Sequence, residues 1–297
     1  MIDLSVLTTE SRNPDTIKLD QMTPFEIASA MNREDEKAVK AVREVLPQIG
    51  EAIEWAADSL KAGGRIIYIG AGTSGRLGVL DAVECPPTFG VSRDLVVGLI
   101  AGGDKAFVEA VEGAEDSETL CAEDLKSIGL TSRDIVIGLA ASGRTPYVIY
   151  GLHYANKTGC RTVAIACNKG SDIGKAAKLA IEPVTGPEVL TGSTRLKAGT
   201  AQKMILNMIS TGSMVGIGKA YENLMVDVKQ SNEKLVVRSQ NIVMTATGCG
   251  REEAEDALKQ AEGHVKTAVT MILLSCDPEE ARQKLSQAGG KIREALK

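Results

Sequence analysis

Between residues 65 and 182, five short apolar runs alternate with helical stretches, and this alternation constrains the fold more than any other feature of the chain. The runs near 65–70, 94–100, 134–140, 162–167 and 179–182 are β-branched and apolar on both faces, as strands buried inside a parallel sheet are. Stretches near 75–85, 104–112, 117–127, 145–158 and 171–177 read as the helices between them. Parallel neighbours need such crossovers, whereas antiparallel ones can be joined by two residues. The pattern predicts an α/β fold, a three-layer α-β-α sandwich with a parallel sheet. Its site should lie at the carboxyl ends of the strands.

Two of the strand-to-helix turns carry chemistry. Gly70-Ala71-Gly72-Thr73-Ser74-Gly75-Arg76 follows the run Ile66–Ile69, and Ser142-Gly143-Arg144-Thr145-Pro146 follows Ile135–Leu139. A helix start offers unpaired N–H groups and a partial positive charge, so it accepts an anion readily. Gly70, Gly72 and Gly75 also satisfy the G-x-G-x-x-G dinucleotide pattern, with Asp104 after the next strand placed to hold a ribose. Two features favour a terminal phosphate instead. Ser74 and Arg76 are a hydroxyl and a cation suited to one, and the Ser-Gly-Arg triplet returns at 142–144, where a dinucleotide has no use for it. The pair of loops therefore reads as a cradle for a sugar phosphate, although turn glycines without a ligand would explain either loop alone. Gly192-Ser193-Thr194-Arg195-Leu196-Lys197 is a third helix start of the same kind. Ser193 or Thr194 would serve there as an N-cap, or the segment would join the phosphate site, in its own or a neighbouring subunit.

Composition narrows the chemistry further. The 297 residues carry a net charge of −5 and no basic cluster, which argues against a nucleic-acid surface. Met1-Ile2-Asp3-Leu4 lacks the pattern of a secretory leader, and no stretch approaches a membrane span. The 6 cysteines form no C-x-x-C pair, so a disulfide-free cytoplasmic protein is expected. Only His153 and His264 are present, both in helical patterns, which excludes a His-rich metal site and disfavours a Ser-His-Asp device. Acid–base work then falls to carboxylates. Glu84 precedes Cys85-Pro86-Pro87, and those prolines should end the helix, leaving Glu84 in its last turn. On a solvated surface that placement costs little. Partly buried, the dipole and desolvation would both raise its pKa from about 4.3 toward 6–7, a range suited to a general acid at neutral pH. The run Glu112-Gly113-Ala114-Glu115-Asp116-Ser117-Glu118 is either a solvated face that caps the next helix or the source of a base.

Around this core the chain divides into three. Residues 1–54 hold a polar arm with Glu10, Arg12 and Asn13, then a helix announced by the capping box Thr23-Pro24-Phe25-Glu26. Pro47 and Gly50 should bend the helical region, and Gly63-Gly64 should end it. Residues 55–225 form the sugar-phosphate domain, closing with a helix whose Met204, Met208 and Met214 suit core or dimer packing. Residues 226–297 form a helical domain, with stops at Gly248 and Gly263 and a start at Asp277-Pro278.

Taken together, the glycine loop at 70–76, Glu84-Cys85-Pro86-Pro87-Thr88, Glu112–Asp116, Ala141–Tyr147 and Ser193–Thr200 closely resemble the N-acetylmuramic acid 6-phosphate etherase family, of the sugar isomerase (SIS) fold. The resemblance spans nearly the whole length, from Thr9-Glu10-Ser11-Arg12-Asn13 to the tail after Thr247-Gly248-Cys249. It implies cleavage of a D-lactyl ether during cell-wall recycling, with no metal or redox cofactor. By the same resemblance Glu84 matches the proton donor and Glu115 the second catalytic glutamate. Phosphate binding would fall to Ser74, Ser142, Arg144 and Thr145, with backbone from Thr73 and Gly143 and contributions from Ser193 and Lys197. A homodimer is implied, with the 193–197 loop or Asn232 and Lys234 approaching a partner's site. The resemblance also leaves a second class in view, a non-catalytic sugar-phosphate sensor like the glucokinase regulatory protein, which needs no acid at Glu84. A transcription regulator would carry an N-terminal helix-turn-helix, and none is visible.

Overall fold

The computed structural model describes residues 8–109, 111–228 and 233–297. They form two compact units: one holds the described residues up to Val83 with Asp94–Ser210, the other Glu84–Arg93 with Thr211–Lys297. In chain order the first contains α1 (Pro24–Arg43), α2 (Leu46–Lys61), β1 (Ile66–Gly70), most of α3 (Gly72–Phe89), β2 (Val96–Ile100) and α4 (Lys105–Val108). It continues with α5 (Leu120–Ser127), β3 (Ile135–Leu139), α6 (Pro146–Thr158), β4 (Arg161–Ile165), α7 (Asp172–Ala176), β5 (Leu179–Ile181) and most of α8 (Lys197–Gly216). The five strands are parallel in the order β2-β1-β3-β4-β5. All five lie where the apolar runs predicted them.

The alternation of side chains along each strand assigns helices to both faces. Ile67, Ile69, Val136 and Ala164 face a core made with Cys121 and Leu125 of α5, Tyr147, Val148 and Leu152 of α6, and Ile173 of α7. Tyr68 and Leu139, on the opposite face, approach α3 at Gly78, where an added Cβ would stand 2.9 Å from the Tyr68 Cβ. The capping box is formed, with the Glu26 carboxylate accepting from the Thr23 N–H at 2.8 Å. The long helical region is not one bent helix. It breaks between Arg43 and Leu46, and Pro47 opens α2 at its first turn, where the missing N–H costs nothing.

Helix α3 differs from expectation in a way that bears on Glu84. It passes through Pro86 and Pro87 to Phe89, and the Gly90 N–H closes back on the Pro86 carbonyl at 3.0 Å. The prolines remove two donors near the helix end without stopping it, so Glu84 stands more than a turn from the terminus. The last-turn placement expected for Glu84 falls with that correction.

The second unit contains the short hairpin of β6 (Ala220–Tyr221) and β7 (Leu224–Met225). It continues with α9 (Glu233–Thr247), α10 (Arg251–Gln260), α11 (Val265–Leu274), α12 (Pro278–Gln287) and α13 (Ile292–Ala295). Val243, Ala254, Val265, Val269, Ala281 and Ile292 meet in its core. Gly248 and Gly263 take the positive φ that ends α9 and α10, and Asp277 caps α12 through the Glu280 N–H at 2.8 Å. The hairpin has no counterpart in the sequence expectation, since two-residue strands leave no alternating pattern to read.

Candidate functional site

In the order β2-β1-β3-β4-β5 the chain winds one way from β1 and the other way from β3, so the switch point lies between these two neighbours. A crevice opens outside the carboxyl ends of strands at such a point. The two glycine-and-hydroxyl loops leave β1 and β3 there.

Close approach explains the glycines of the first loop. A Cβ on Gly70 would stand 2.8 Å from the Gly75 nitrogen, and one on Gly75 would stand 2.7 Å from the Gly70 oxygen. Gly72 takes φ +50°, a left-handed turn at the start of α3. Ser74 is buried, and its Oγ donates to Gln202 Oε1 of α8 at 2.9 Å. Arg76 is committed to backbone. Its guanidinium donates to the Phe107 and Ala106 carbonyls at 2.8 and 3.0 Å, closing the end of α4. A cation that the sequence suited to phosphate thus holds the neighbouring loop.

In the second loop Gly143 has φ +79°, and a Cβ there would reach to 2.3 Å from the Ser171 Cβ. Its N–H donates to the Ala140 carbonyl at 3.0 Å, and its own carbonyl accepts from Ile173 at 3.0 Å. Thr145 precedes α6, with Pro146 in the first position, and its hydroxyl caps none of the first-turn N–H groups. Ser142 and Arg144 line a cleft of about 680 Å³ together with Thr8, Asn168, Lys169 and Lys175. Arg144 Nε stands 4.0 Å from Asp172 Oδ2, and Lys169 and Lys175 add positive charge to the same wall. A dianionic group suits that cleft.

The third helix start comes to the same place. Ala198 of α8 packs with Ala141 and Cys167, and a Cβ on Gly199 would touch Thr73 Cγ2 at 3.6 Å. The start of α8 thereby meets both loops. Neither Ser193 nor Thr194 caps its first N–H groups, however. The buried carboxylate of Glu188 accepts from the Lys197 and Ala198 N–H groups at 3.2 and 3.0 Å. Burial pushes the Glu188 carboxyl up against the pull of these two N–H groups. An internal anion therefore already occupies this helix start.

Lys197 itself is 1% exposed, and its ammonium is ion-paired with Glu34 of α1 and donates to the Pro187 carbonyl at 2.5 Å. It lies among the loops with its charge committed elsewhere. Ser193 is half-buried at the tip of the 190–196 turn, and Arg195 is exposed.

Glu84 is exposed on α3 and belongs to the second unit. Glu115 is exposed on a short 3-10 turn, Ala114–Asp116, in the first unit. Lys234 is exposed in the first turn of α9, and Asn232 lies outside the described residues. Among the described residues no group of three or more His, Cys, Asp or Glu gathers as metal ligands would. No helix among them is long and apolar enough to cross a membrane. Sequence reasoning missed Glu188, Gln202 and Asn168. Each acts on backbone or hydroxyl groups distant in sequence, and only the Pro187-Glu188 pair ahead of a helix hints at its role.

A parallel sheet whose switch point gathers three hydroxyl-bearing helix starts defines a SIS domain. Residues 123–211 match the SIS domain model, and residues 48–156 match the glucokinase regulatory protein N-terminal SIS domain. The chain belongs to the N-acetylmuramic acid 6-phosphate etherase family. It is 60% identical over 272 residues to the N-acetylmuramic acid 6-phosphate etherase of Enterobacter sp. (strain 638), covering 92% of each chain. It is 58% identical over 295 residues to that of Pectobacterium atrosepticum, covering 99% of this chain and 97% of the relative. Among solved structures, a phosphoheptose isomerase from Francisella tularensis aligns with TM-score 0.49 and 16% identity, over 65% of this chain and 98% of its own.

Proposed function

We infer that the chain is a carbon–oxygen lyase that cleaves the D-lactyl ether of N-acetylmuramic acid 6-phosphate. The products are N-acetylglucosamine 6-phosphate and D-lactate, formed in cell-wall amino-sugar recycling. The observation that carries this reading is 60% identity to an etherase over 92% of both chains. The chemistry requires two proton-transfer groups. Lactate leaves from C3, so a base must take the C2 proton, which is acidic only beside the C1 aldehyde of the opened sugar. An acid protonates the departing ether oxygen, and a C2=C3 double bond forms. Water then adds at C3 while C2 regains its proton, so one water is consumed for each ether broken.

We assign Glu115 as the C2 base and Glu84 as the acid that later takes the proton from water. Each returns to its starting state over the cycle. Ser142, Arg144 and Thr145 hold the phosphate, with Ser74, Thr73 and the Gly143 backbone beside them and Ser193 at the rim. Lys197 is left out of this set, because its ammonium is spent on Glu34 and Pro187. Incubation with N-acetylmuramic acid 6-phosphate should release D-lactate, and its absence would overturn the reading in favour of a sugar-phosphate sensor. Ser142→Ala should raise KM about 10-fold or more and lower kcat much less, as loss of a bond to a charged group does. A pure kcat loss at unchanged KM would remove Ser142 from phosphate binding.

We place the enzyme in the cytoplasm as a homodimer. Cys121, Cys160 and Cys167 are buried and form no disulfide, which suits a reducing compartment. Exposed Leu80 of α3 and Phe107 and Val108 of α4, with Val108 83% exposed, give a partner apolar surface to cover. Light scattering should report twice the mass of one chain. A monomer at assay concentration would remove the shared-site reading.

A further inference from the structure

The polar arm ahead of α1 is folded against the site, and one buried amide fastens it there. Asn168, in the turn after β4, is 4% exposed. Its Oδ1 accepts from the Thr8 N–H and the Thr8 hydroxyl, both at 2.9 Å. Its Nδ2 donates to Thr9 Oγ1 at 3.1 Å and to the carbonyls of Ser142 and Ala141 at 3.3 and 3.4 Å. Both lone pairs and both protons of the amide are therefore used, with three bonds to the arm and two to the loop that carries Ser142. Farther along the arm, the Asn13 amide donates to the Pro187 carbonyl at 3.3 Å and the Thr16 hydroxyl to the Val189 carbonyl at 2.8 Å. The arm thus spans from the second loop to the segment that leads into the third. Thr8 also stands in the wall of the 680 Å³ cleft beside Ser142 and Arg144.

We propose that Asn168 is a positioning residue for sugar-phosphate binding, and that the arm Thr8–Thr16 is a clamp that holds the Ser142 loop in its binding geometry. The inference rests on the reading of Ser142 as a phosphate ligand. Its physical basis is the accounting of the loop's carbonyls. With Asn168 in place, the Ser142 carbonyl accepts from its amide at 3.3 Å, and the Ala141 carbonyl from that amide and from the Cys167 N–H at 2.9 Å. Without Asn168 an anion at the cleft would meet the Ser142 carbonyl dipole free to turn toward it, whereas the Ala141 carbonyl would still be held by the Cys167 N–H. The Asn168 side chain is itself buried, so water does not take over its bonds at the same geometry.

The test is steady-state lactate release by the full chain carrying Asn168→Ala, Thr9→Val or Ser142→Ala, with melting temperatures recorded for each. Asn168→Ala should raise KM for N-acetylmuramic acid 6-phosphate about 5- to 10-fold with kcat within about 2-fold, the scale of one or two lost hydrogen bonds. Thr9→Val, which removes one of the three bonds between the arm and Asn168, should raise KM about 2- to 3-fold. A purely structural role would lower the melting temperature and the active fraction while leaving KM where it was. KM unchanged in Asn168→Ala but raised in Ser142→Ala would overturn the positioning role and leave the phosphate reading intact. KM unchanged in both would overturn the two together. Should Asn168→Ala fail to fold, Thr9→Val decides, and an unchanged KM in that folded variant overturns the proposal.

Discussion

Glu84→Gln and Glu115→Gln are each expected to cut D-lactate release by about 10²- to 10⁴-fold, the usual contribution of a positioned acid or base. Glutamine keeps the length and polarity of the side chain and removes only its capacity to carry a proton, so KM should move little. The two losses should differ in kind. Without the acid, a working base still takes the C2 proton, so Glu84→Gln should exchange that proton for deuterium in heavy water without releasing lactate. Without the base neither event occurs, so Glu115→Gln should show no exchange. Nuclear magnetic resonance of the recovered substrate reads this directly. Exchange in Glu115→Gln and not in Glu84→Gln would reverse the two roles. Lactate release near the wild-type rate from either variant would remove that residue from the chemistry.

Both glutamates are exposed in the single chain; Glu84 stands more than a turn from the end of α3, and Glu115 lies in a turn of three residues, too short to carry an appreciable dipole. The exposure bears on how they act. A carboxylic acid that donates at neutral pH needs desolvation or a like charge nearby. A substrate that carries its own phosphate and lactyl carboxylate brings both when it covers the site. On the proposed roles, truncated substrates lacking the lactyl carboxylate would lose kcat as well as affinity.

The sheet was legible because each strand is a short run apolar on both faces, a pattern only a covered parallel strand needs. The loops were legible because glycine at 70, 72, 75 and 143 answers local demands: a turn, or a backbone approach under 3 Å, or a positive φ. The fate of the charges was not. Arg76 and Lys197 read as phosphate cations because the sequence gives a charge and its neighbours, never the group across from it. The Ala106 and Phe107 carbonyls lie some 30 residues from Arg76, and Glu34 lies 163 residues from Lys197. Glu188 was hidden for the same reason: its carboxylate takes the helix-start N–H groups that Ser193 and Thr194 were placed to cap. The prolines misled differently. Pro86 and Pro87 each lack a donor, but a lost bond close to a helix end is a modest cost that the fold absorbs.

Lys197→Met should destabilise the first unit by about 3 kcal/mol, because removing one member of a buried pair strands the other's charge in a dry environment. Lys197 is 1% and Glu34 5% exposed, so neither can turn to water without moving α1 or α8. The cost sits at the lower end of the range for buried pairs because Lys37 still donates to Glu34 Oε1 at 2.6 Å. For a domain of this size it should lower the melting temperature by roughly 6–12 °C. Glu34→Leu combined with Lys197→Met should recover most of that loss, since an apolar pair of similar volume often equals a buried ion pair. The acid limb carries a second signature. Burial works to raise the Glu34 carboxyl, but hydrogen bonds from Lys197, Lys37 and Asn13 overcome it and hold it below its ordinary range. A carboxylate with a depressed folded pKa contributes stability that is present above its unfolded value, about 4.3. That stability is lost as the pH falls through the folded value. Lys197→Met should therefore flatten the acid side of the stability profile. Well below its melting temperature it should keep the wild-type KM, because the ammonium serves α1 and Pro187 rather than the ligand. A KM raised 10-fold at an unchanged melting temperature would return Lys197 to the phosphate site and overturn its structural role.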